Sequence, residues 1–439
     1  MNRRAFLKVS TTAGFVCACP PGFLAATKDS PSSGDILADA TKRIEQHRMG
    51  EALIAVRDTQ GRPVPGAKVA ITQLKHDFLF GCNLFMFNRC GTSELETAYR
   101  SRFAALFNYA TLGFYWASYE RQRGKPNYDY TDQVLEWTSR QGIVCKGHPL
   151  VWDHPASSPL WLPDDHQEIA VLSNSRTREI VRRFQGRIDM WDVVNEPTHL
   201  PEKHNKTRMA DWGAALGPVP YVAEPLRIAR ESNRTAMLLV NDYRLQPAYY
   251  KILDSLREEG SLLFDAVGLQ SHMHDGPWSP ERTWEICQRY ANLGLPLHFS
   301  ETTILSGPRK GPREDWGQST PEGEANQADK TAAFYTVLFS HPAVQAITWW
   351  DFSDHGAWQR APAGWLRRDM SPKPVYERLR ELIKRHWWTR KETTADQRGE
   401  VRQRCFYGRY HLTADLPGAN RISREVTVAR DSDNRFELA

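Results

Sequence analysis

The chain has 439 residues, 41% of them hydrophobic and 25% charged, which is a globular composition and enough length for one large domain with appendages. Its formal net charge is +5, and it falls to +2 once Arg3, Arg4 and Lys8 of a removable N-terminal signal are left out. A nearly neutral chain gives no electrostatic reason to expect nucleic acid or an anionic membrane surface as a partner.

The N-terminal stretch MNRRAFLKVSTTAGFVCACPPGFLAA (1–26) is typical of an export signal, with paired arginines, a short apolar segment and small residues at its end. The Arg3-Arg4 pair followed by FLK resembles the twin-arginine type, which predicts an exported protein, periplasmic or secreted. No segment has about 18 continuous apolar residues, so we expect no membrane span. Cys19 leaves a lipid anchor as an alternative. Residues 27–50 are predicted to be a polar linker and lead-in.

The cysteines that remain after the predicted signal are Cys82, Cys90, Cys145, Cys287 and Cys405. Their spacing matches no zinc pattern. Cys145 and Cys287 lie in apolar surroundings, where we expect buried thiols. Cys82 and Cys90 can pair in an oxidising compartment, and the sequence leaves that open.

Both flanks of the chain have strand-like alternation. Residues 51–77 alternate around the turn DTQGRPVPG and are predicted to form a β-hairpin. Residues 389–439 contain the further strand-like segments GEVRQRCFYGRYHLTADLPG and REVTVARD. Because a lone hairpin is marginal in water, we expect the two flanks to meet as one small β-rich accessory domain.

Between the flanks, residues 78–388 alternate short apolar runs with amphipathic, helix-like segments such as 94–107, 177–184, 248–260 and 329–340. The apolar runs are 78–85, 109–116, 143–152, 188–197, 237–242, 266–273, 295–302 and 346–352. Eight strand-helix units with nearly continuous apolar strands predict an α/β fold, a (β/α)8 TIM barrel. A doubly wound open sheet is the alternative, although no glycine-rich phosphate loop follows the first run.

Polar side chains lie at the ends of nearly all of these runs, where the active sites of such barrels are found. They are Asn83, His148, Asn195 with Glu196, Asn241 with Asp242, Gln270 with His272, Glu301, and Trp350 with Asp351. Alone, Asn195-Glu196-Pro197 is ordinary turn chemistry. Seven polar strand ends that face one mouth instead predict a site, with Glu196 in it.

Glu196 after the fourth strand and Glu301 after the seventh are predicted to face each other across the mouth. Such a pair suits cleavage of a glycosidic bond, in which one carboxylic acid protonates the leaving oxygen and the other carboxylate attacks the anomeric carbon. His272 is placed to hydrogen-bond Glu301 and keep it ionised. Asn195 can bond a sugar 2-hydroxyl, a contact that strengthens as positive charge develops on the ring.

Seven segments of the predicted barrel resemble the successive motifs of the family-10 glycoside hydrolases, the endo-1,4-β-xylanase family. They follow the family's order over roughly residues 78–385 and read GHPLVW, WDVVNEP, NDYRL, GLQSHM, HFSET, ITWWDFSDHGAW and LRRDMSPKPVYERL. The resemblance implies cleavage of internal β-1,4 bonds of xylan or a related decorated β-glycan by a retaining mechanism, with Glu196 as acid/base and Glu301 as nucleophile. The residues that it implies for sugar contact or for support of the nucleophile are His148, Trp152, Asn195, Gln270, His272, Trp350 and Trp358.

The segment TLGFYWASYE departs from the family pattern. Leu112 and Tyr115 stand where the family usually has an Asn and a Lys that hold the sugar on the non-reducing side, and Asp153 replaces the usual His after LVW. We therefore expect the chemistry to be kept and the adjacent sugar to differ from plain xylose, with Tyr115 offering a stacking face to it.

Two other classes remain open. His272 and His274, with His148 and Asp153, can be interpreted as metal ligands of a barrel hydrolase. Two carboxylates acting as acid and nucleophile need no metal, so we expect no cofactor. A catalytically weak carbohydrate-binding barrel is the other alternative. We expect a monomer whose partner is a polysaccharide or oligosaccharide; endo or exo action is left undecided.

Overall fold

The computed structural model describes residues 33–310, 316–416 and 421–439. Its strands, numbered in chain order, are β1 (Met49–Val56), β2 (Lys68–His76), β3 (Leu79–Asn83), β4 (Tyr109–Gly113), β5 (Val144–His148), β6 (Val151–Trp152), β7 (Met190–Asn195), β8 (Met237–Asp242), β9 (Arg257–Glu258), β10 (Ser261–Leu262), β11 (Ala266–Met273), β12 (Leu297–Ile304), β13 (Val344–Trp349), β14 (Arg390–Thr394), β15 (Glu400–Phe406), β16 (Gly408–Asp415), β17 (Arg421–Val428) and β18 (Arg435–Leu438).

Eight of these strands close into a parallel barrel in the order β3, β4, β5, β7, β8, β11, β12, β13 and back to β3. The two-residue strand β6 extends the β7 edge, and β9 pairs with β10 outside the barrel. Each barrel strand overlaps one predicted run, and the bounds of β8 and β11 coincide with the predicted ones. The (β/α)8 prediction is confirmed, and the open doubly wound sheet is excluded by the β13–β3 pairing.

Helices cover the outside of the barrel. Those of the described residues are α1 (Ser33–Ala38), α2 (Ala40–Arg48), α3 (Ser93–Leu106), α4 (Trp116–Tyr119), α5 (Asp129–Gln141), α6 (His166–Arg183), α7 (Arg208–Leu216), α8 (Pro218–Ser232), α9 (Pro247–Asp254), α10 (Pro280–Ala291), α11 (Pro321–Ser340) and α12 (Pro374–Glu381), with a π-helical extension Leu382–His386 and short 3₁₀ turns at Pro155–Ser157, Pro197–Glu202 and Trp358–Arg360. Side-chain caps explain several starts: Thr92, Asp165 and Thr320 each accept a backbone N–H of the following turn. Helix α6 begins earlier than predicted and α9 ends earlier.

The flanks form two sheets that pack face to face. The first has the order β15–β1–β18 and the second the order β14–β2–β16–β17. Both inner faces contribute to one apolar core, for example with Ile54 from β1 and Ile71 from β2. The predicted union of the two flanks in a β-rich unit is confirmed. The predicted hairpin is wrong, because β1 and β2 lie in different sheets and pair with C-terminal strands instead.

The β unit and the lead-in helices are fixed to the barrel by buried polar contacts. Residues 27–50, predicted to be a linker and lead-in, include α1 and α2. At the end of α2, the buried Arg48 guanidinium donates hydrogen bonds to the carbonyl oxygens of Phe339, His341 and Val344, at 2.6, 2.6 and 2.7 Å. Those carbonyls lie at the end of α11 and the start of β13, so one side chain joins the N-terminal segment to the base of the barrel.

The five cysteines of the described residues are buried free thiols, so Cys82 and Cys90 are unpaired. The predicted export signal and Cys19 lie outside the described residues. Across residues 33–310, 316–416 and 421–439, no helix combines the length and the apolar character that crossing a bilayer requires.

Candidate active site

The carboxyl ends of the barrel strands bring Glu196 and Glu301 to one mouth, joined by a chain of amide hydrogen bonds. Asn241 Nδ2 donates to Glu301 Oε1 at 2.7 Å and to Asn195 Oδ1 at 2.8 Å. Gln270 Nε2 lies 3.2 Å from the same Asn195 oxygen and 3.1 Å from Glu196 Oε1. Four consecutive strands, β7, β8, β11 and β12, therefore fix both carboxylates in one rigid frame.

Glu196 follows β7 in a strained backbone conformation. Its φ of 57° and ψ of 46° are left-handed, which costs a non-glycine residue about 1–3 kcal/mol. The backbone N–H donates to Asn241 O at 2.7 Å, and Trp152 Nε1 donates to the carboxylate Oε2 at 2.8 Å. Burial, together with repulsion from Glu301 and Asp242, raises the pKa of Glu196 to about 8, although His199 acts in the opposite direction. Near neutral pH this carboxyl group therefore holds its proton.

Glu301 lies within β12 and is surrounded by donors. Besides the Asn241 bond at Oε1, its Oε2 lies 3.1 Å from His272 Nε2. His272 Nδ1 lies 2.9 Å from the hydroxyl of Thr303 on the same strand as Glu301. When the Thr303 hydroxyl donates a hydrogen bond to Nδ1, the neutral His272 ring carries its proton on Nε2. The Nε2–H group then donates a hydrogen bond to Glu301. This arrangement favours an ionised Glu301, the opposite state to that of Glu196.

A buried charge network lies beneath the carboxylates. His148 Nδ1 is 2.8 Å from Asp192 Oδ2, and His148 Nε2 is 3.8 Å from Glu301 Oε1. Lys146 Nζ is 2.6 Å from the same Asp192 oxygen. The two groups form an ion pair, but their geometry does not meet the angles of a hydrogen bond. Burial alone would raise the pKa of Asp192, but the charge of Lys146 and the contacts with His148 lower it. The ionised Asp192 in turn orients His148 beneath Glu301.

Aromatic rings line the mouth around the carboxylates. Trp350 is buried and packs edge-on against His148 and Phe85, with centroids 5.4 Å apart in both pairs. Trp358 is 44% exposed and lies 4.8 Å from the His272 ring, so it offers a free face. Tyr115 contacts His148 at 5.9 Å and Phe85 at 5.8 Å. These rings form a mostly apolar wall next to Glu301, suited to the flat faces of sugars.

Two of the predicted departures differ in their placement. Leu112 belongs to the core cluster between barrel and helices. Side chains alternate along β4, so Leu112 lies on the opposite face of the strand from Tyr109, which points into the barrel. The Leu112 side chain therefore points away from the barrel interior, toward the helices. Asp153 does lie at the mouth, where it is buried beside His199. Asn83, the remaining strand end, accepts the backbone N–H of Phe85 at 3.4 Å.

Several residues of the site were not singled out from the sequence. Lys146 and Asp192 lie within apolar runs, and a charged residue in the middle of a buried strand was the signal that could have marked them. Thr303 and His199 carried no such signal, because their roles depend on spatial neighbours. Among the described residues, no three His, Cys, Asp or Glu side chains are grouped so that they could hold a metal ion.

The barrel matches a known protein family. The family model described as glycosyl hydrolase family 10 matches residues 75–382. Among curated proteins, the chain is 26% identical over 412 residues to the anti-sigma-I factor RsgI6 of Acetivibrio thermocellus, which covers 92% of this chain and 50% of that protein. It is 27% identical over 294 residues to endo-1,4-beta-xylanase B of Thermotoga neapolitana, covering 63% of this chain and 81% of that protein.

A plant protein is a further relative, endo-1,4-beta-xylanase 5 of Arabidopsis thaliana, 25% identical over 322 residues that cover 69% of this chain and 51% of that protein. The chain thus spans about half the length of two of these three relatives. Among solved structures, xylanase 10B from Thermotoga petrophila RKU-1 in complex with xylobiose has a TM-score of 0.60 at 22% identity, covering 71% of this chain and 95% of that one. At that identity the likeness concerns the fold.

Proposed function

The chain belongs to glycosyl hydrolase family 10, and from this premise we propose that it is a retaining glycoside hydrolase that cleaves internal β-1,4 bonds of xylan or a related decorated β-glycan. One observation carries the proposal: two carboxylates at one barrel mouth, Glu196 and Glu301, are linked through shared amides yet lie in environments that favour opposite protonation states. A protonated acid beside an ionised carboxylate is what double displacement at an anomeric carbon needs.

In the proposed first step, Glu196 gives its proton to the leaving glycosidic oxygen while a Glu301 oxygen attacks the anomeric carbon and forms a glycosyl ester. Donation from Asn241 and His272 keeps Glu301 ionised before attack. In the second step, Glu196 takes a proton from water, whose oxygen attacks the same carbon and releases Glu301. The proton that Glu196 lost is thereby restored, and the anomeric configuration is retained.

Sugar binding is assigned to the groups around the two carboxylates. Asn195 accepts two amide hydrogen bonds on Oδ1, so its NH2 group points away from these two donors. That NH2 group is then available to bind a sugar hydroxyl. Trp350 and Trp358 supply the hydrophobic contact for the ring at the cleavage point. Gln270 and His148 hold the frame and the nucleophile in register.

The preferred substrate is proposed to carry a substituted sugar on the non-reducing side. Phe85 and Tyr115 present an apolar wall there, and the polar Asn and Lys of the family pattern are missing from the TLGFYWASYE segment. A site that hydrogen-bonds a hydroxyl discriminates strongly for it, whereas an apolar site only tolerates it. Acetyl, methyl or other esterified and etherified groups fit such a wall better than a bare xylosyl unit does.

The test uses the purified chain at catalytic concentration on linear xylan, arabinose- or glucuronate-substituted xylan, acetylated xylan and mixed β-glucan, with products identified by mass. Glu196→Ala and Glu301→Ala are the matched controls and should each lose almost all cleavage while the barrel stays folded. Azide should restore turnover in either variant, and aryl glycosides with good leaving groups should partly bypass the loss of Glu196. Faster cleavage of linear than of substituted xylan would contradict the proposed preference for a substituted sugar, but it would leave the proposed hydrolysis intact.

A sugar-binding role is the second candidate, because one relative that matches 92% of this chain is an anti-sigma factor rather than a named hydrolase. In that case the wild-type protein would bind xylo-oligomers at the mouth, Trp358→Ala would abolish binding, and no β-glycan would be turned over at any pH.

A further inference from the structure

A third ionisable side chain adjoins the carboxyl group of Glu196. His199 lies in the 3₁₀ turn Pro197–Glu202, directly after the end of β7. Its Nδ1 is 3.4 Å from Glu196 Oε2 and 3.6 Å from Asp153 Oδ1. The ring is only 3% exposed, and its Nδ1 makes no closer hydrogen bond within the described residues. One ring nitrogen therefore faces two carboxylates from a buried position.

Asp153 needs a cation at this place. It is 1% exposed, and Asn205 Nδ2 donates to its Oδ1 at 3.0 Å while its Oδ2 has no partner among the described residues. A buried carboxylate with a single neutral donor is costly unless a positive charge lies next to it. Burial opposes a protonated His199 ring, yet the contact with Asp153 and the attraction of Glu196 together raise the pKa of His199. The charged imidazolium compensates the buried Asp153 carboxylate, and it stabilises Glu196 when that group loses its proton.

We propose that His199, held by Asp153, is a positioning residue that controls when Glu196 carries its proton. The proposal rests on the role of Glu196 as acid/base given above. When Glu196 donates its proton to the leaving oxygen, a carboxylate forms 3.4 Å from a fixed positive charge, which stabilises it. His199 keeps its own proton throughout, so the proton balance of the two steps is unchanged. Its effect is to set the upper pH limit of catalysis.

The other charged and titratable groups around this cluster do not replace His199. Tyr243 OH is 3.0 Å from Nε2 and can accept from the imidazolium, so the second nitrogen is also satisfied. The His204 ring packs against His199 in a tilted arrangement with the centroids 4.6 Å apart, and in the described part of the chain it makes no ion pair with Glu196. The remaining groups that face the cluster from the neighbouring strand ends are Asp242, Arg244, His154 and Glu301.

The test is the pH dependence of kcat/KM on an aryl glycoside for His199→Gln, Asp153→Asn and the double variant, with His204→Gln as the matched control. Loss of a cation next to a carboxylate should move the alkaline limb upward by about 1–2 pH units in His199→Gln. Asp153→Asn should move it in the same direction. The double variant should match His199→Gln, because Asp153 acts through the ring. His204→Gln should leave the limb in place. A lower rate at every pH with an unmoved limb would overturn the proposal.

A second measurement does not depend on turnover. In the full chain with isotope-labelled histidines, the NMR signal lost in His199→Gln identifies this ring, and its titration midpoint should lie above that of a free histidine. The midpoint should fall in Asp153→Asn and in Glu196→Gln. A midpoint below the ordinary value, or one that Asp153→Asn leaves unchanged, overturns the coupling even in an active enzyme. If the midpoints behave as expected but no glycan is cleaved, the proposed function fails and the coupling stands.

Discussion

The wild-type protein should lose unfolding free energy as pH rises. Replacing Glu196 with Gln should remove this pH dependence. Burial raises the pKa of Glu196 from 4.5 to about 8 in the folded chain. Between these values the folded state binds a proton that the unfolded state has released, so stability falls as pH increases. Gln has no proton to lose, and the variant lacks this dependence.

The size of the effect follows from the shift. At about 1.4 kcal/mol per pH unit, a rise from 4.5 to about 8 corresponds to an upper limit of about 4–5 kcal/mol. The carboxyl group is slightly exposed and interacts with the charges of His199 and Glu301, so we expect a smaller total change in stability, about 2–3 kcal/mol. The substitution also changes the hydrogen bonds from Trp152 and Gln270. That effect is the same at every pH, so it does not alter how the stability difference between variant and wild type depends on pH.

The assay is urea unfolding of both proteins at intervals from pH 5 to pH 9. The free energy of unfolding of Glu196→Gln minus that of the wild type should grow by about 2–3 kcal/mol across the range. Glu231→Gln, at an exposed position on α8, is the matched control and should give a constant difference. Parallel curves for Glu196→Gln and the wild type would refute the raised pKa and, with it, the protonated state assigned to this residue.

Three further outcomes are expected. The kcat/KM of the wild type on an aryl glycoside should fall on the alkaline side near pH 8 as Glu196 loses its proton. A profile with no alkaline limb would exclude a protonated Glu196 as the acid. Lys146→Met should cost about 3–5 kcal/mol of unfolding free energy by leaving Asp192 buried and unpaired, and Lys146→Met with Asp192→Asn should recover much of it; equal losses in both variants would contradict the buried ion pair. Arg48→Met should cost about 3 kcal/mol because three buried carbonyls lose a charged donor, and a loss below about 1 kcal/mol would show that the N-terminal segment is held in other ways.

The barrel could be predicted because its strands are buried on both faces and therefore appear as continuous apolar runs, each followed by a helix. The polar residues at the strand ends were equally visible, since a parallel barrel gathers the ends of all its strands at one mouth. Glu196, Glu301, Asn195 and Gln270 were placed at that mouth from their positions in the sequence alone.

The errors arise where local pattern says nothing about spatial partners. Alternation in β1 and β2 indicates which face each strand buries, but not which strand lies beside it, and the two strands turned out to face each other across a core. Leu112 was singled out by its match to a family position, and that match could not show that the phase of β4 turns its side chain outward. His199 and Asp153 are far apart in sequence, and their meeting depends on the turn after β7.

Trapping of the glycosyl intermediate tests the proposed role of Glu301 as the nucleophile. An aryl 2-deoxy-2-fluoro-β-xylobioside slows both displacement steps, and its good leaving group lets the first step outrun the second, so the ester should accumulate. We expect one equivalent of adduct on the peptide that contains Glu301, none in Glu301→Ala, and slow release of sugar with retained configuration. An adduct on a different side chain, or no adduct in a wild-type protein that hydrolyses the parent glycoside, would contradict this role.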